Sequence, residues 1–324
     1  MKRINKRTRF GFGLVILALP WIILAIPEIS HYLDVMVFAG IYTLITLGLS
    51  MLMGYGGQIS LGQAAFYGMG AYISAILTVR FQWDPWLCML LAIAASALLA
   101  LLVGMPSLKL RGHYLAMATL AFGIIMFTIF NEEADYTGGP DGLSGVSMLS
   151  IGEFTFDTEI KYYYLVWGLV FAAFLLSVNL IQSTVGRALR AIHESETAAL
   201  AMGINVAKYK VQIFMFSAAL ASLGGSLFTH YINFVNPSSF DLFFSIKLIT
   251  MIILGGFHSI WGAIIGAILV TFLSTEWLAA FEEYEVLVFG VILLVMVATL
   301  PDGLVSIPEK IQSFTKRKVW KRWF

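Results

Sequence analysis

The sequence predicts an all-α polytopic membrane protein, and its composition is the first of three observations that lead to this fold class. Of the 324 residues, 59% are hydrophobic and only 12% are charged, whereas a soluble domain carries about a quarter charged residues. The mean hydropathy is +0.86. This composition excludes a soluble globular protein. It also excludes a disordered chain, because disorder goes with low hydrophobicity and high charge.

Ten apolar stretches are the second observation, since a membrane helix needs about 20 mostly apolar residues. They lie near 10–27, 35–53, 64–79, 86–105, 113–130, 162–181, 211–231, 243–256, 260–275 and 286–300. The third, eighth and ninth are short, so eight spans is the alternative to ten. The first follows a basic start but is not followed by a small-residue cleavage site, and we expect it to stay as an uncleaved helix.

The distribution of charge is the third observation. With the N-terminus inside, the cytoplasmic segments hold 17 of the 20 lysines and arginines, as the positive-inside rule requires. Both termini are then cytoplasmic, which requires an even number of spans. The chain divides into a basic N-tail at 1–9, a transmembrane permease domain at 10–300 and a basic C-tail at 301–324.

Motifs that would indicate an enzyme are missing from the sequence. It contains no HExxH zinc motif, no GxSxG element and no phosphate loop of the form GxxxxGK[ST]. We therefore expect no catalytic residue, no metal site and no ATPase site in this chain. We expect it to contact membrane lipid and not to bind nucleic acid. Lys247 is the clear intramembrane charge, and it either has a function or extends to the interface from within about one turn of the helix end. Because carboxylates are missing from mid-span, a secondary transporter is only an alternative.

The segment 54–63 joins two predicted spans without a charge and is rich in glycine and polar residues. Glycine interrupts helices, and discontinuous helices often form transporter binding sites. We interpret the segment as a glycine-broken, partly buried stretch beside a translocation path. The candidate path residues are Gly56, Gly57, Gln58, Ser60 and Gln63.

The predicted cytoplasmic loop at 182–210 shows the signals of two short helices. The first covers Gly186 to Ala191, and Glu194-Ser195-Glu196 begins the second, with carboxylates at the positive end of its dipole. Gly203 stands where that helix would end. The pair forms either a small knob that docks on a partner or an amphipathic helix on the membrane surface.

Several motifs along the chain resemble those of a known transporter family. Ala198 to Gly203 is similar to the A-A-x-x-x-G part of the coupling motif of ATP-binding-cassette importer permeases, although Thr197 stands where that motif has glutamate. Five separate segments resemble the branched-chain amino acid permeases among these importers: 186–192 with 202–205, 56–66 (GGQISLGQAAF), 110–120 (LRGHYLAMATL), 137–143 (TGGPDGL) and 253–256 (ILGG). The 137–143 segment is typical of the larger of the two permease paralogues. The resemblance covers roughly residues 35–300.

The resemblance implies a subunit of an importer in the bacterial cell membrane. Such an importer pairs two different permeases with two ATP-binding subunits, which hold ATP and Mg²⁺, and with an extracytoplasmic binding protein that delivers leucine, isoleucine or valine. It implies no cofactor in this chain. A urea, short-chain amide or other amino-acid importer is the alternative. The implied coupling residues are Gly186, Arg187, Arg190, Glu194, Glu196, Ala198, Ala199 and Gly203.

The predicted external loop at 131–161 is acidic. Following the resemblance, its candidate contacts with a binding protein are Glu132, Glu133, Asp135 and Asp141. The alternative is a solvated acidic loop without a partner, because a run of charge often means only solvation.

Overall fold

The computed structural model describes residues 6–24, 31–107, 113–278, 284–300 and 303–306, and it is built almost entirely of helices. The long helices are α1 (Lys6–Leu24), α2 (Tyr32–Ser50), α3 (Gln63–Phe81), α4 (Pro85–Ser107), α5 (His113–Glu132), α7 (Glu159–Gln182), α10 (Val206–Ile232), α11 (Leu242–Gly255), α12 (Ile260–Phe272) and α13 (Glu285–Thr299). Three short helices lie between them: α6 (Ala134–Thr137), α8 (Thr184–Glu194) and α9 (Glu196–Ala201). π-Helical turns extend α2 through Met51–Tyr55 and α12 through Leu273–Trp277.

Eight helical segments among the described residues are long and apolar enough to cross a membrane. Two further apolar helices are shorter, Gly11–Trp21 within α1 and Leu242–Gly255. Each of the ten predicted stretches coincides with one of these helices. The short stretches at 64–79 and 260–275 are longer in the structure because helix continues past their apolar cores. The stretch at 243–256 remains short, with 14 residues in α11.

Several predicted boundaries are shifted. α1 already begins at Lys6, so part of the predicted N-tail is helical, as the good helix propensity of lysine and arginine allows. The predicted external loop shrinks to 133–158, because α5 and α7 extend into it. α10 begins at Val206, five residues before its apolar run. The predicted tail segments at 1–5, 301–302 and 307–324 lie outside the described residues.

Helices α2 and α10 form the centre of the bundle, where glycine allows close packing. α10 packs on α2, α3 and α4. A Cβ at Gly225 of α10 would lie 1.8 Å from the carbonyl oxygen of Tyr67 in α3, and one at Gly48 of α2 would lie 3.0 Å from the Cα of Ser217. The GxxxG pair of α12 packs in the same way, with Gly266 placed against the Met251 carbonyl of α11. The two central helices are therefore locked at backbone distance.

The bundle has two distinct ends. Helices α8 and α9 form one, which we call the α8–α9 end. The other, the hairpin end, carries four two-residue strands: β1 (Leu143–Ser144) pairs with β4 (Phe234–Val235), and β2 (Ser150–Ile151) pairs with β3 (Phe154–Thr155), both antiparallel. Since α10 runs from Val206 beside α9 to Ile232 beside β4, it connects the two ends.

Candidate functional site

The glycine-rich segment between α2 and α3 is broken and buried. α2 ends in its π-helical turn at Tyr55, and α3 begins at Gln63. Gly57 turns the chain with φ of +63°, in the left-handed region that favours glycine. Gln63 donates from Nε2 to Ser217 Oγ at 2.9 Å. Ser217 lies near the middle of α10, so α3 begins well inside the bundle. The predicted break is confirmed.

The polar side chains of this segment point into protein. Gln58, Ser60 and Gln63 are at most 2% exposed. Gln58 donates from Nε2 to the Lys210 carbonyl at 3.3 Å. The Oε1 atoms of Gln58 and Gln63 are buried without a hydrogen-bond partner among the described residues. Unpaired buried acceptors are costly, so these amides are candidates for contact with water or a transported solute.

A second glycine turn, at 255–259, packs on this break. A Cβ at Gly54 would lie 1.8 Å from the Phe257 carbonyl oxygen. Tyr55 donates from its hydroxyl to the His258 carbonyl at 3.0 Å, and the Gly54 carbonyl lies 3.0 Å from His258 Nδ1. Ser50 Oγ donates to the Phe257 carbonyl at 3.2 Å. The α2–α3 break and the α11–α12 turn therefore form one hydrogen-bonded unit, which we call the glycine unit.

The loop at 182–210 contains the two predicted helices, and each begins with a serine cap. Ser183 Oγ accepts from the backbone N–H of Val185 at 3.1 Å, and Ser195 Oγ accepts from that of Ala198 at 3.3 Å. Serine is a preferred N-cap because it satisfies an unpaired N–H of the first turn. Gly203 follows α9 with φ of +79°, as predicted for a C′ glycine. α8 is longer than predicted and runs from Thr184 to Glu194. The prediction that Glu194 begins the second helix is therefore wrong, because this residue ends the first and α9 begins at Glu196.

Contacts beneath the helix pair fix it to the bundle. Ile192, Ala199 and Val206 form a small apolar cluster. The buried ammonium of Lys210 in α10 pairs with the Glu196 carboxylate in α9. The outer side exposes Leu200 at 52% and Met202 at 82%. The pair thus presents apolar side chains outward from a rigid base.

The predicted coupling residues divide between base and surface. Arg187, Glu194, Ala198 and Gly203 are exposed, and Arg190 and Glu196 are half-buried. Ala199 is 2% exposed and belongs to the base. Gly186 is buried too, and a Cβ there would lie 2.2 Å from the Ile181 carbonyl, so this glycine permits the turn from α7 into α8. Leu200 and Met202, which the sequence reasoning passed over, are the prominent outward side chains.

Helix α8 also contacts the glycine unit. The rings of His193 and His258 lie edge to face, with centroids 5.4 Å apart. Together with Gly54, Tyr55, Arg190 and Glu194 they line a cavity of about 350 Å³. A local signal for His258 exists in the sequence, since it stands two residues after the glycine pair at 255–256.

Comparison with known proteins identifies the family. Residues 31–297 match the family described as the permease component of the branched-chain amino acid transport system. The chain belongs to this family. It is similar to the high-affinity branched-chain amino acid transport system permease protein LivM of Salmonella typhimurium, at 32% identity over 92% of this chain and 75% of that protein. It matches the Escherichia coli LivM at 31% identity over the same shares.

The second permease paralogue is more distant. LivH of Escherichia coli is 25% identical over 83% of this chain and 92% of its own length. The resemblance to the larger paralogue is therefore confirmed. No solved structure matches the chain. As a member of this family, the chain is a multi-pass membrane permease of a bacterial-type transport system, a transport subunit rather than an enzyme.

At the hairpin end of this permease, the TGGPDG segment forms a tight cap. Gly138 and Gly142 have φ of +80° and +75°, and a Cβ at Gly142 would lie 2.3 Å from the Val235 carbonyl. Asn233 donates from Nδ2 to the Val146 carbonyl at 2.7 Å, and His230 Nδ1 lies 2.7 Å from the Ser147 carbonyl. The cap is thus fastened to the end of α10.

The acidic candidates lie on this cap and the adjoining helix end. Glu132, Glu133, Asp135 and Asp141 are all exposed. Farther along the loop, the Lys161 ammonium donates to Asp157 at 2.6 Å, and this hydrogen bond lowers the pKa of the exposed carboxyl. The four acidic candidates form an accessible rim. Arg80 is basic and lies beside it, with its guanidinium over the Tyr136 ring at 5.2 Å.

Proposed function

We propose that this permease and a second permease subunit form the translocation path of an ATP-driven importer for leucine, isoleucine and valine. Ten helices cross the membrane in this proposal, with both termini in the cytoplasm and the α8–α9 end on the cytoplasmic side. Family membership and the names of its relatives support the substrate class. The observation that carries the coupling role is the exposed apolar pair Leu200 and Met202 on a helix pair tied to the broken segment.

Two ATP-binding subunits supply the energy in this proposal and hold the ATP and Mg²⁺. One of them docks on α8 and α9 of this chain. Nucleotide-driven closure displaces the helix pair, and the displacement reaches the bundle by two contacts: Glu196 with Lys210 moves α10, and His193 with His258 moves the glycine unit. Their combined shift alternates access to the path.

Reconstitution tests the function and the docking surface together. The permease is assembled in proteoliposomes with its partner permease, the ATP-binding subunits and a binding protein. We expect ATP-dependent leucine uptake, which a Leu200→Ser/Met202→Ser variant loses together with co-purification of the ATP-binding subunits. Ile151→Ser, at an equally exposed apolar position on the hairpin end (61%), is the matched control. Uptake of urea or a short-chain amide instead of leucine would contradict the substrate assignment.

A wider replacement tests the whole coupling segment. Residues 194–203 are exchanged for a Gly/Ser linker of equal length. The complex should then lose both ATPase docking and uptake. Normal assembly and transport by this variant would refute the coupling role.

The buried amides support a role of the break in the path. We propose that Gln58, Ser60 and Gln63 face the path in a state of the cycle that opens at Gly56 and Gly57. Alanine at each of these three positions should lower the maximal uptake rate without loss of assembly. Gln82→Ala, at a side chain on the exposed end of α3, is the control. Normal uptake by all three path variants would leave these residues with a packing role.

The acidic rim is the proposed contact with an extracytoplasmic binding protein. Glu132, Glu133, Asp135 and Asp141 would pair with basic residues of that protein. Reversing all four charges should weaken its binding and make uptake less sensitive to ionic strength, because exposed charge pairs are screened by salt. Unchanged binding after reversal would refute the contact.

A further inference from the structure

Helix α11 begins beside the middle of α3 rather than at the hairpin end of the bundle. After Asn233 at the end of α10, the chain descends through β4 and a 3₁₀ turn, Pro237–Phe240. Phe240 is 1% exposed and packs on Tyr67 and Tyr72 of α3, with ring centroids 5.2 and 5.7 Å apart. With 14 residues, α11 is about 21 Å long, too short for a bilayer core of about 30 Å. It is a half-helix that starts at depth.

A cavity of about 350 Å³ lies where this half-helix begins. Pockets for small ligands have volumes of about 300–1,000 Å³, so an amino acid fits. Half of its lining residues are aromatic, and these come from α2, α3, α10, α11 and α13: Tyr42, Tyr67, Phe228, Phe243, Phe244 and Phe289. Such walls suit a branched aliphatic side chain.

Two opposite charges also line this cavity, Asp241 and Lys247. Asp241 caps α11 by accepting from the Phe244 N–H at 2.9 Å with one carboxylate oxygen. Lys247 donates to Ser274 Oγ at 2.6 Å and lies over the Phe289 ring, with Nζ 5.6 Å from its centroid. A charged side chain in a membrane helix is costly and commonly serves a transported solute. The Lys247 ammonium therefore lies between the extended α12 and α13.

We propose that this cavity is a binding site for a zwitterionic α-amino acid with an apolar side chain. Lys247 binds the α-carboxylate, Asp241 binds the α-ammonium, and the aromatic walls hold the side chain. The assignment rests on the proposed importer function, because it places the substrate of that importer. It also gives the permease its own selectivity, separate from that of a binding protein.

Ligand analogues lacking one charge test the assignment. Equilibrium binding of radiolabelled leucine is measured on the assembled transporter in nanodiscs, without binding protein and nucleotide. The competitors are leucinamide, which lacks the carboxylate, and 4-methylpentanoate, which lacks the ammonium. We expect each to compete about tenfold to a hundredfold more weakly than leucine, as the loss of one charged hydrogen bond implies.

Single variants then assign each charge. Lys247→Gln should lose the preference for leucine over leucinamide and keep that over 4-methylpentanoate. Asp241→Asn, which still caps the helix, should show the reverse. Lys161→Gln and Asp157→Asn remove a charge pair at the hairpin end and should change neither ratio. Because each ratio compares two ligands on the same variant, a merely weakened fold does not move it.

Three outcomes would overturn the site. The first is unchanged ratios in both cavity variants. The second is no leucine binding to a transporter that does import leucine with its binding protein. The third is leucine binding only in nanodiscs without phosphatidylethanolamine. The headgroup of this lipid carries an ammonium and an anionic phosphate, so the lipid would then be the ligand that occupies the cavity.

Failure of the proposed function is recognised separately, as missing ATP-dependent leucine uptake by the wild-type complex. Should Lys247→Gln not assemble, two further variants replace it. Lys247→Arg, which keeps the charge, should keep the preference for leucine over leucinamide. Phe289→Trp, which fills the cavity, should weaken leucine binding at least tenfold in an assembled complex. Wild-type leucine affinity in Phe289→Trp would overturn the site as well.

Discussion

Gly54→Ala should destabilise the permease by several kcal/mol, because Gly54 touches the facing turn at backbone distance. The new Cβ would lie 1.8 Å from the Phe257 carbonyl oxygen. The two turns must then separate by more than about 1 Å to restore even a tight contact. Three hydrogen bonds join these turns, through Ser50, Tyr55 and His258. At about 1 kcal/mol each, plus about 1–3 kcal/mol for overpacking, the loss is about 4–6 kcal/mol.

Thermal inactivation of the purified complex measures this loss. Fluorescence-detected gel filtration after heating should show a clearly lower midpoint for Gly54→Ala than for wild type. Gly168→Ala is the matched control, since a Cβ there meets nothing within 4 Å and alanine favours the helix by up to about 1 kcal/mol. A Gly54→Ala midpoint equal to that of Gly168→Ala would refute the close stacking of the two turns.

Three further predictions concern the ends of the bundle. Glu196→Lys should reduce ATPase-subunit binding by breaking its pair with Lys210, and the swap Glu196→Lys/Lys210→Glu should recover part of it in a pull-down assay. Gly203→Val should fray the end of α9 by about 1–2 kcal/mol, because valine is strained at φ of +79°; faster proteolysis at this site would show it, and wild-type resistance would contradict it. Gly142→Ala should detach the cap from Val235 and speed amide exchange in β1, with ATPase binding as the unaffected control.

The spans and the end of α9 were predictable, because their signals are local. A span is a run of apolar residues, and a glycine just past a helix marks its end. Gly203 thus located the end of α9 correctly, whereas Glu194, predicted at its start, is the last residue of α8. A helix of six residues is too short for a hydrophobic period, so the inward position of Ala199 and the outward position of Leu200 did not follow from the sequence.

The contacts between distant segments were not predictable in the same way. Gly54 and Phe257 lie 203 positions apart in sequence, and neither segment contains a local signal that predicts contact with the other. The depth at which α11 begins was hidden as well, since a short apolar run does not show where in the membrane it starts. The sequence alone therefore left Lys247 open between a functional role and an interfacial position, and the structure places it on the lining of a cavity.

The length of α10 has a consequence for how the two faces of the permease influence each other. Its 27 residues form a rod of about 40 Å, held by Glu196 through Lys210 at one end and by the cap through His230 and Asn233 at the other. Coupling between two sites is reciprocal by thermodynamic necessity. If nucleotide binding at the α8–α9 end changes the affinity for the binding protein at the hairpin end by some factor, docking of that protein must change nucleotide affinity by the same factor. A binding protein with substrate and one without substrate would then set different rates of ATP hydrolysis through α10.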